Sequence, residues 1–145
     1  EAIARDTYKQ WMEAQGHELT IRTVGLILHP EFPLIACSPD GIVSFSCRCC
    51  QGKEILLEIK CPQKLENSFS NFDRLEPKRE YVTQLQVQIG ICGKSQADFF
   101  VYYAPLFFCC TTVDFDGSIF ESFKDTIVEI YKRKALGELV SRIGR

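Results

Sequence analysis

Two apolar runs joined by a polar insert constrain this chain most: Gly41–Phe45, entered through Ser38-Pro39-Asp40-Gly41, and Ile55–Lys60, left through Cys61-Pro62. Side chains alternate faces along a strand, so Glu58 and Lys60 share a face with Leu56, while Leu57 and Ile59 take the other. Ser-Pro-Asp-Gly is a turn sequence that sets Asp40 just ahead of a strand. Pro62 stops strand pairing. The reading is a hairpin of Gly41–Phe45 with Lys53–Lys60, antiparallel, with Asp40 and Glu58 together at its open end. Charges at the tip of a buried strand cost desolvation free energy unless they find a partner. A divalent cation would be such a partner. Asp40 and Glu58 offer hard oxygen ligands, and Lys60 can hold a nucleophilic water or a developing negative charge. The same trio also fits a solvated rim at a strand end.

Further residues line up with this stretch in order. The segments Ser38-Pro39-Asp40-Gly41, Leu57-Glu58-Ile59-Lys60-Cys61-Pro62 and Tyr81-Val82-Thr83-Gln84-Leu85-Gln86-Val87-Gln88 resemble the phage lambda exonuclease / YqaJ viral recombinase family of the PD-(D/E)xK nuclease superfamily. Glu1-Ala2-Ile3-Ala4-Arg5-Asp6-Thr7-Tyr8 is similar to that family's E-x-x-A-x-x-x-Y helix. The resemblance spans roughly residues 1–105.

The resemblance implies an α/β fold with a mixed central β-sheet flanked by helices, the restriction-endonuclease-like core. It implies a Mg²⁺-dependent deoxyribonuclease, with Mn²⁺ as a substitute. Asp40, Glu58 and the Ile59 carbonyl would bind the metal. Lys60 would orient or activate the attacking water. Gln84 would contact the water or the scissile phosphate, with Tyr81 as its neighbour and Ser38 also on the substrate side. Glu1 would join the metal site or its water network. The substrate would be double-stranded DNA with a free end, degraded 5′ to 3′ by a homotrimer in recombination or repair. An endonuclease of the same superfamily, and a catalytically silent module that binds DNA or protein, are the alternatives.

Composition bounds these readings. With 145 residues, the chain is expected to form one nuclease domain, read as a fragment lacking upstream residues because it opens without Met. A net charge of −2 gives no global signal for nucleic acid, although metal-binding carboxylates are themselves acidic. The longest apolar run, Phe99 to Cys110, is broken by Pro105 and is too short to cross a bilayer, so no membrane partner is expected.

Eight cysteines are many for this length. Cys37, Cys61 and Cys92 lie in or beside apolar segments, where a free thiol acts as a small hydrophobe. The chain is therefore read as reduced and intracellular, in cytoplasm or nucleus. Cys47, Cys49 and Cys50 crowd the hairpin loop. Zinc or an iron–sulfur group is one reading, but no matching second pair follows in sequence. The favoured reading is an oxidation-prone loop insertion without metal.

The remaining segments follow in order. Residues 1–16 read as a helix, stopped at Gly16, and 18–28 as a strand. His29-Pro30 reads as a turn with a structural histidine. Residues 63–76 read as irregular. A helix over Lys78–Cys92 is expected to begin with Pro77 at its first position and to end at Gly93. On it Gln84 and Gln88 share a face, and Gln86 cannot join them. Ala97–Ala104 and Phe107–Phe115 read as strands. Ser118–Leu136 reads as an amphipathic helix with Phe120, Phe123, Ile127, Ile130 and Tyr131 inward. The Lys132-Arg133-Lys134 cluster near its end is read as ordinary cation enrichment at a helix C-terminus, with DNA phosphate as the lesser reading.

Overall fold

The computed structural model describes residues 1–105 and 107–138. In chain order these form α1 (Ala2–Ala14), β1 (Leu19–Arg22), β2 (Ile27–Leu28), β3 (Ala36–Cys37), β4 (Gly41–Phe45) and β5 (Glu54–Lys60). A 3₁₀ turn (Leu65–Ser68) leads into β6 (Phe69–Asn71), β7 (Glu76–Pro77) and α2 (Arg79–Cys92). Then come β8 (Gln96–Ala104), β9 (Phe107–Asp114) and α3 (Gly117–Ile130), which runs on into a π-helical segment, Tyr131–Leu136.

The main sheet has the order β1-β4-β5-β8-β9. Its β5–β8 pair is parallel and the other three pairs are antiparallel. This is the expected mixed sheet with flanking helices. A parallel pair needs a long crossover, and the segment containing α2 supplies it. The antiparallel hairpin is present as expected, with Gly41 opposite Leu57 and Ser44 opposite Glu54.

Strand alternation sorts the core into two layers. Val43, Phe45, Ile55, Leu57, Ile59 and Phe100 pack with Ala4 and Tyr8 of α1. Ile42, Leu56, Ala97, Phe99 and Val101 pack on the other face with Leu85 and Ile89 of α2. Burying side chains such as Leu56, Leu57, Phe99 and Phe100 stabilises the fold by ~1.5–3 kcal/mol each. A third cluster joins Val87 and Ile91 of α2 to Phe120 of α3. Buried Asp98 anchors α1 to the sheet. Its two carboxylate oxygens accept hydrogen bonds at 2.7 Å from the Tyr8 hydroxyl and the Thr112 hydroxyl. Burial, and then the charge of Asp98, hold the Tyr8 phenol well above its ordinary pKa.

The expected strand over 18–28 is in fact two. β1 pairs with β4, whereas β2 pairs with β3 in a separate two-stranded sheet. The chain leaves the main sheet after Arg22. Residues 63–76 are less irregular than expected, because β6 and β7 form a small antiparallel pair. Pro77 closes that pair and does not start α2; Lys78 is the N-cap and the helix begins at Arg79. The far end of α2 follows expectation. Gly93 takes the left-handed conformation at φ 61°, and Lys94 N–H reaches back to the Ile89 carbonyl at 3.1 Å. In α3, Phe120 is buried and Phe123 and Ile127 pack beside it, but Ile130 is exposed. α3 packs on α2, and Ile130 lies outside the Phe120 cluster.

Candidate active site

Asp40 is the last residue before β4, and Glu58 and Lys60 lie near the end of β5. One rung beyond the Gly41–Leu57 pair, Asp40 faces Glu58. The Asp40 carboxylate accepts the Ile59 N–H at 2.6 Å through Oδ2. That bond draws the Ile59 backbone into the same site. Gly41 permits a close approach here, since a Cβ would sit 2.7 Å from Ile21 Cγ2.

Glu58 projects towards α2, as strand alternation requires, and is only 3% exposed. A buried carboxylate needs donors, and three side chains supply them. Lys60 Nζ donates to Oε1 at 2.5 Å and Gln84 Nε2 to the same oxygen at 2.6 Å. Gln88 Nε2 donates to Oε2 at 2.8 Å. Gln84 and Gln88 are one helical turn apart, so one face of α2 carries both. Gln86 points elsewhere, to the Asp114 carbonyl and the Asp116 N–H. Lys60 Nζ also stands 5.4 Å from the Tyr81 ring centre, and that ring packs on Phe99.

The electrostatics mark a crowded acidic site. Half-buried Asp40 has its pKa raised, first by burial and then by the charges of Glu58 and Glu1; the Ile59 N–H and Lys60 oppose the shift. Glu1 is the N-cap of α1 and is exposed, with its Oε1 accepting from Arg5 Nη2 at 2.6 Å. It sits at the margin of the site, close enough for its charge to act on Asp40. Ser38 lines an open groove of about 390 Å³ together with Cys37, Thr83, Gln84, Gln88 and Phe123. Hence Ser38 and Gln84 share a wall, whereas Tyr81 supports Lys60 from below.

The donor set suits a hard divalent cation. Asp40 and Glu58 present oxygen ligands with a backbone carbonyl adjacent. Burial first, and then repulsion from Glu58 and Glu1, raise the Asp40 pKa, and a bound cation would offset both. In sequence, Gln88 shows only its i, i+4 relation to Gln84 and no signal of a role at Glu58. Gln88 Oε1 is buried without a hydrogen-bond partner.

A family model for the YqaJ-like viral recombinase domain matches residues 1–95. The chain belongs to that family. The matched residues include Glu1, Asp40, Glu58, Lys60, Gln84 and Gln88. Among solved structures, an alkaline exonuclease from Laribacter hongkongensis is similar at 24% identity and TM-score 0.76, over 99% of this chain and 71% of that one. At this identity the likeness speaks for the fold. The same exonuclease in complex with dAMP matches at 25% identity and TM-score 0.75, over 99% and 70% of the two chains. No curated protein gave a sequence match.

Proposed function

We propose that this chain is a Mg²⁺-dependent deoxyribonuclease that degrades double-stranded DNA from a 5′ end. The observation that carries the reading is the Asp40–Glu58–Lys60 cluster at the hairpin mouth, with Gln84 and Gln88 holding the Glu58 carboxylate. Membership of the YqaJ family supports it, as does the likeness to an alkaline exonuclease that is known in complex with dAMP.

In this reading Asp40, Glu58 and the Ile59 carbonyl hold the metal, and Mn²⁺ can replace Mg²⁺. When bound, the cation polarises the scissile phosphate and lowers the pKa of its water. The chain's own groups do the remainder. Glu58 is fixed by three donors, so its oxygens are aimed before substrate arrives. Lys60 is held between Glu58 and the Tyr81 ring, where its ammonium orients the attacking water and offsets charge developing on the phosphate. Gln84 keeps Glu58 in place and reaches the groove wall, where with Ser38 it meets the DNA backbone. Glu1 adds negative charge at the rim. One domain, built on one five-stranded sheet, carries the activity, and a homotrimer closing around the duplex would retain it on the strand.

The test is digestion of end-labelled linear duplex beside covalently closed circular DNA, with Mg²⁺ and with chelator. Mg²⁺-dependent loss of linear DNA alone, with 5′ ends consumed first, is the expected result. Cutting of the circle would turn the assignment to an endonuclease. Binding without cleavage in any divalent metal would overturn the enzyme reading.

A further inference from the structure

We propose that His17, Cys47, Cys49 and Cys50 form a structural zinc site at the closed end of the β4–β5 hairpin, remote in the strand ladder from Asp40 and Glu58. This inference stands on its own residues and does not rest on the nuclease reading.

The four residues come from two places. His17 lies between α1 and β1, whereas the cysteines occupy the loop after β4. Pairing of β1 with β4 joins them: Leu19 is opposite Phe45, and Ser46 N–H donates to the Glu18 carbonyl at 2.9 Å. The loop then turns tightly, with Cys50 N–H on the Cys47 carbonyl at 3.1 Å and Lys53 N–H on the Cys50 carbonyl at 2.9 Å. The turn brings three sulfurs round one imidazole, whose ring rests against Phe45 at 5.7 Å.

The nitrogen–sulfur spacing is that of a single ion's coordination shell. Zinc binds thiolate sulfur at ~2.3 Å and imidazole nitrogen at ~2.0–2.1 Å, so a tetrahedron sets nitrogen and sulfur ~3.6 Å apart and two sulfurs ~3.8 Å apart. His17 Nδ1 stands 3.6 Å from Cys47 Sγ, 3.7 Å from Cys49 Sγ and 3.8 Å from Cys50 Sγ. Cys47 and Cys49 sulfurs are 3.3 Å apart, and all four ligand atoms lie within 4.8 Å of one another. Hydrogen bonding does not account for this convergence. A neutral imidazole nitrogen accepts one hydrogen bond, and thiols are weak donors; three cannot be satisfied on one atom. Soft thiolates with one imidazole select zinc over the hard cations suited to the carboxylate site. Iron–sulfur clusters ordinarily take four cysteines, and this loop provides three.

Four protein ligands close the shell and leave no open position, which makes the site structural. Its ion would fasten the segment after α1 to the hairpin loop. The same hairpin carries Asp40 and Glu58 at its mouth, and α1 carries Glu1 at its other end.

The experiment uses the full chain, purified in reductant and dialysed. Metal content is measured by mass spectrometry, and the apo protein is titrated with Co²⁺ while visible absorption is followed. The expected result is one zinc per chain, with cobalt giving intense tetrahedral bands and thiolate charge transfer. Cys49→Ser and His17→Asn should each weaken binding by ~10-fold or more, a loss that even outer-shell partners can cause. Cys61→Ser should leave it unchanged. A weak octahedral cobalt spectrum, binding unaltered in Cys49→Ser and His17→Asn, or thiolate bands lost in Cys61→Ser would each overturn the proposal. Should a ligand variant fail to fold, the wild-type cobalt spectrum still reports whether thiolates bind the ion.

Discussion

Gln88 donates its Nε2 to Glu58 Oε2 at 2.8 Å from within the core, and both residues are only 3% exposed. The bond holds the one oxygen of Glu58 that neither Lys60 nor Gln84 reaches. Replacing Gln88 by Leu leaves that oxygen without its donor. A hydrogen bond to a charged group contributes ~1.5–3 kcal/mol, so Gln88→Leu should lose about that much stability in urea denaturation. A loss under ~0.5 kcal/mol would show that Glu58 finds another donor.

Asp40 gives the metal-free protein a pH-dependent weakness. Its folded-state pKa lies above the ordinary 3.8, chiefly through burial. The folded state therefore favours the protonated form. The stability Asp40 contributes is fully present below the unfolded pKa and is lost as pH rises through the folded value. Asp40→Asn keeps an acceptor for the Ile59 N–H and removes the charge. In chelator at neutral pH it should melt higher than wild type, and the difference should vanish below about pH 4. Thermal melts across pH 3–8 on the two proteins read this directly; a lower midpoint for Asp40→Asn at neutral pH would contradict it.

Added Mg²⁺ should reverse that order. A ligand that binds only the folded state stabilises it, by ~2.7 kcal/mol at a hundredfold excess over its dissociation constant. Wild type should gain in midpoint with Mg²⁺, while Asp40→Asn and Glu58→Gln gain little. Equal gains in all three would place the metal elsewhere.

Gly90 lets α2 approach Phe120 of α3 closely. A Cβ there would lie 2.6–2.8 Å from Phe120 ring atoms, Cγ among them. Phe120 is buried between α2 and α3, so its ring has little room to retreat. Overpacking of this kind costs ~1–3 kcal/mol, against a gain well under ~1 kcal/mol from replacing glycine by β-branched valine in a helix. Gly90→Val should destabilise the protein, and Phe120→Leu in the same chain should recover part of the loss in a double-mutant cycle.

The hairpin was legible because its signals are local. The Pro-Asp-Gly turn, the alternation along Leu56–Lys60 and the stop at Pro62 each lie within a few residues of what they determine. The face shared by Gln84 and Gln88 was legible for the same reason. The break between Arg22 and Ile27 was not, since Thr23 and Val24 continue a β-branched run and only Gly25 interrupts it. Pro77 suits both a helix start and an edge strand, and pairing with Phe69 decided between them. Ile130 fits the apolar stripe of α3 but lies outside the cluster around Phe120. His17 and the cysteine loop are some thirty residues apart, and no sequence period links them. Only the β1–β4 register brings them together.

We propose that Lys60, held on Glu58, serves a metal-dependent phosphodiesterase centre. The most direct measurement is the rate of Mg²⁺-dependent digestion of 5′-labelled linear duplex by wild type and by Lys60→Ala, after both are shown to fold. Digestion by wild type should stop with chelator, and Lys60→Ala should lose ~100-fold or more, the scale of removing one preorganised charge-stabilising group. Wild-type cleavage that persists undiminished in Lys60→Ala would contradict it.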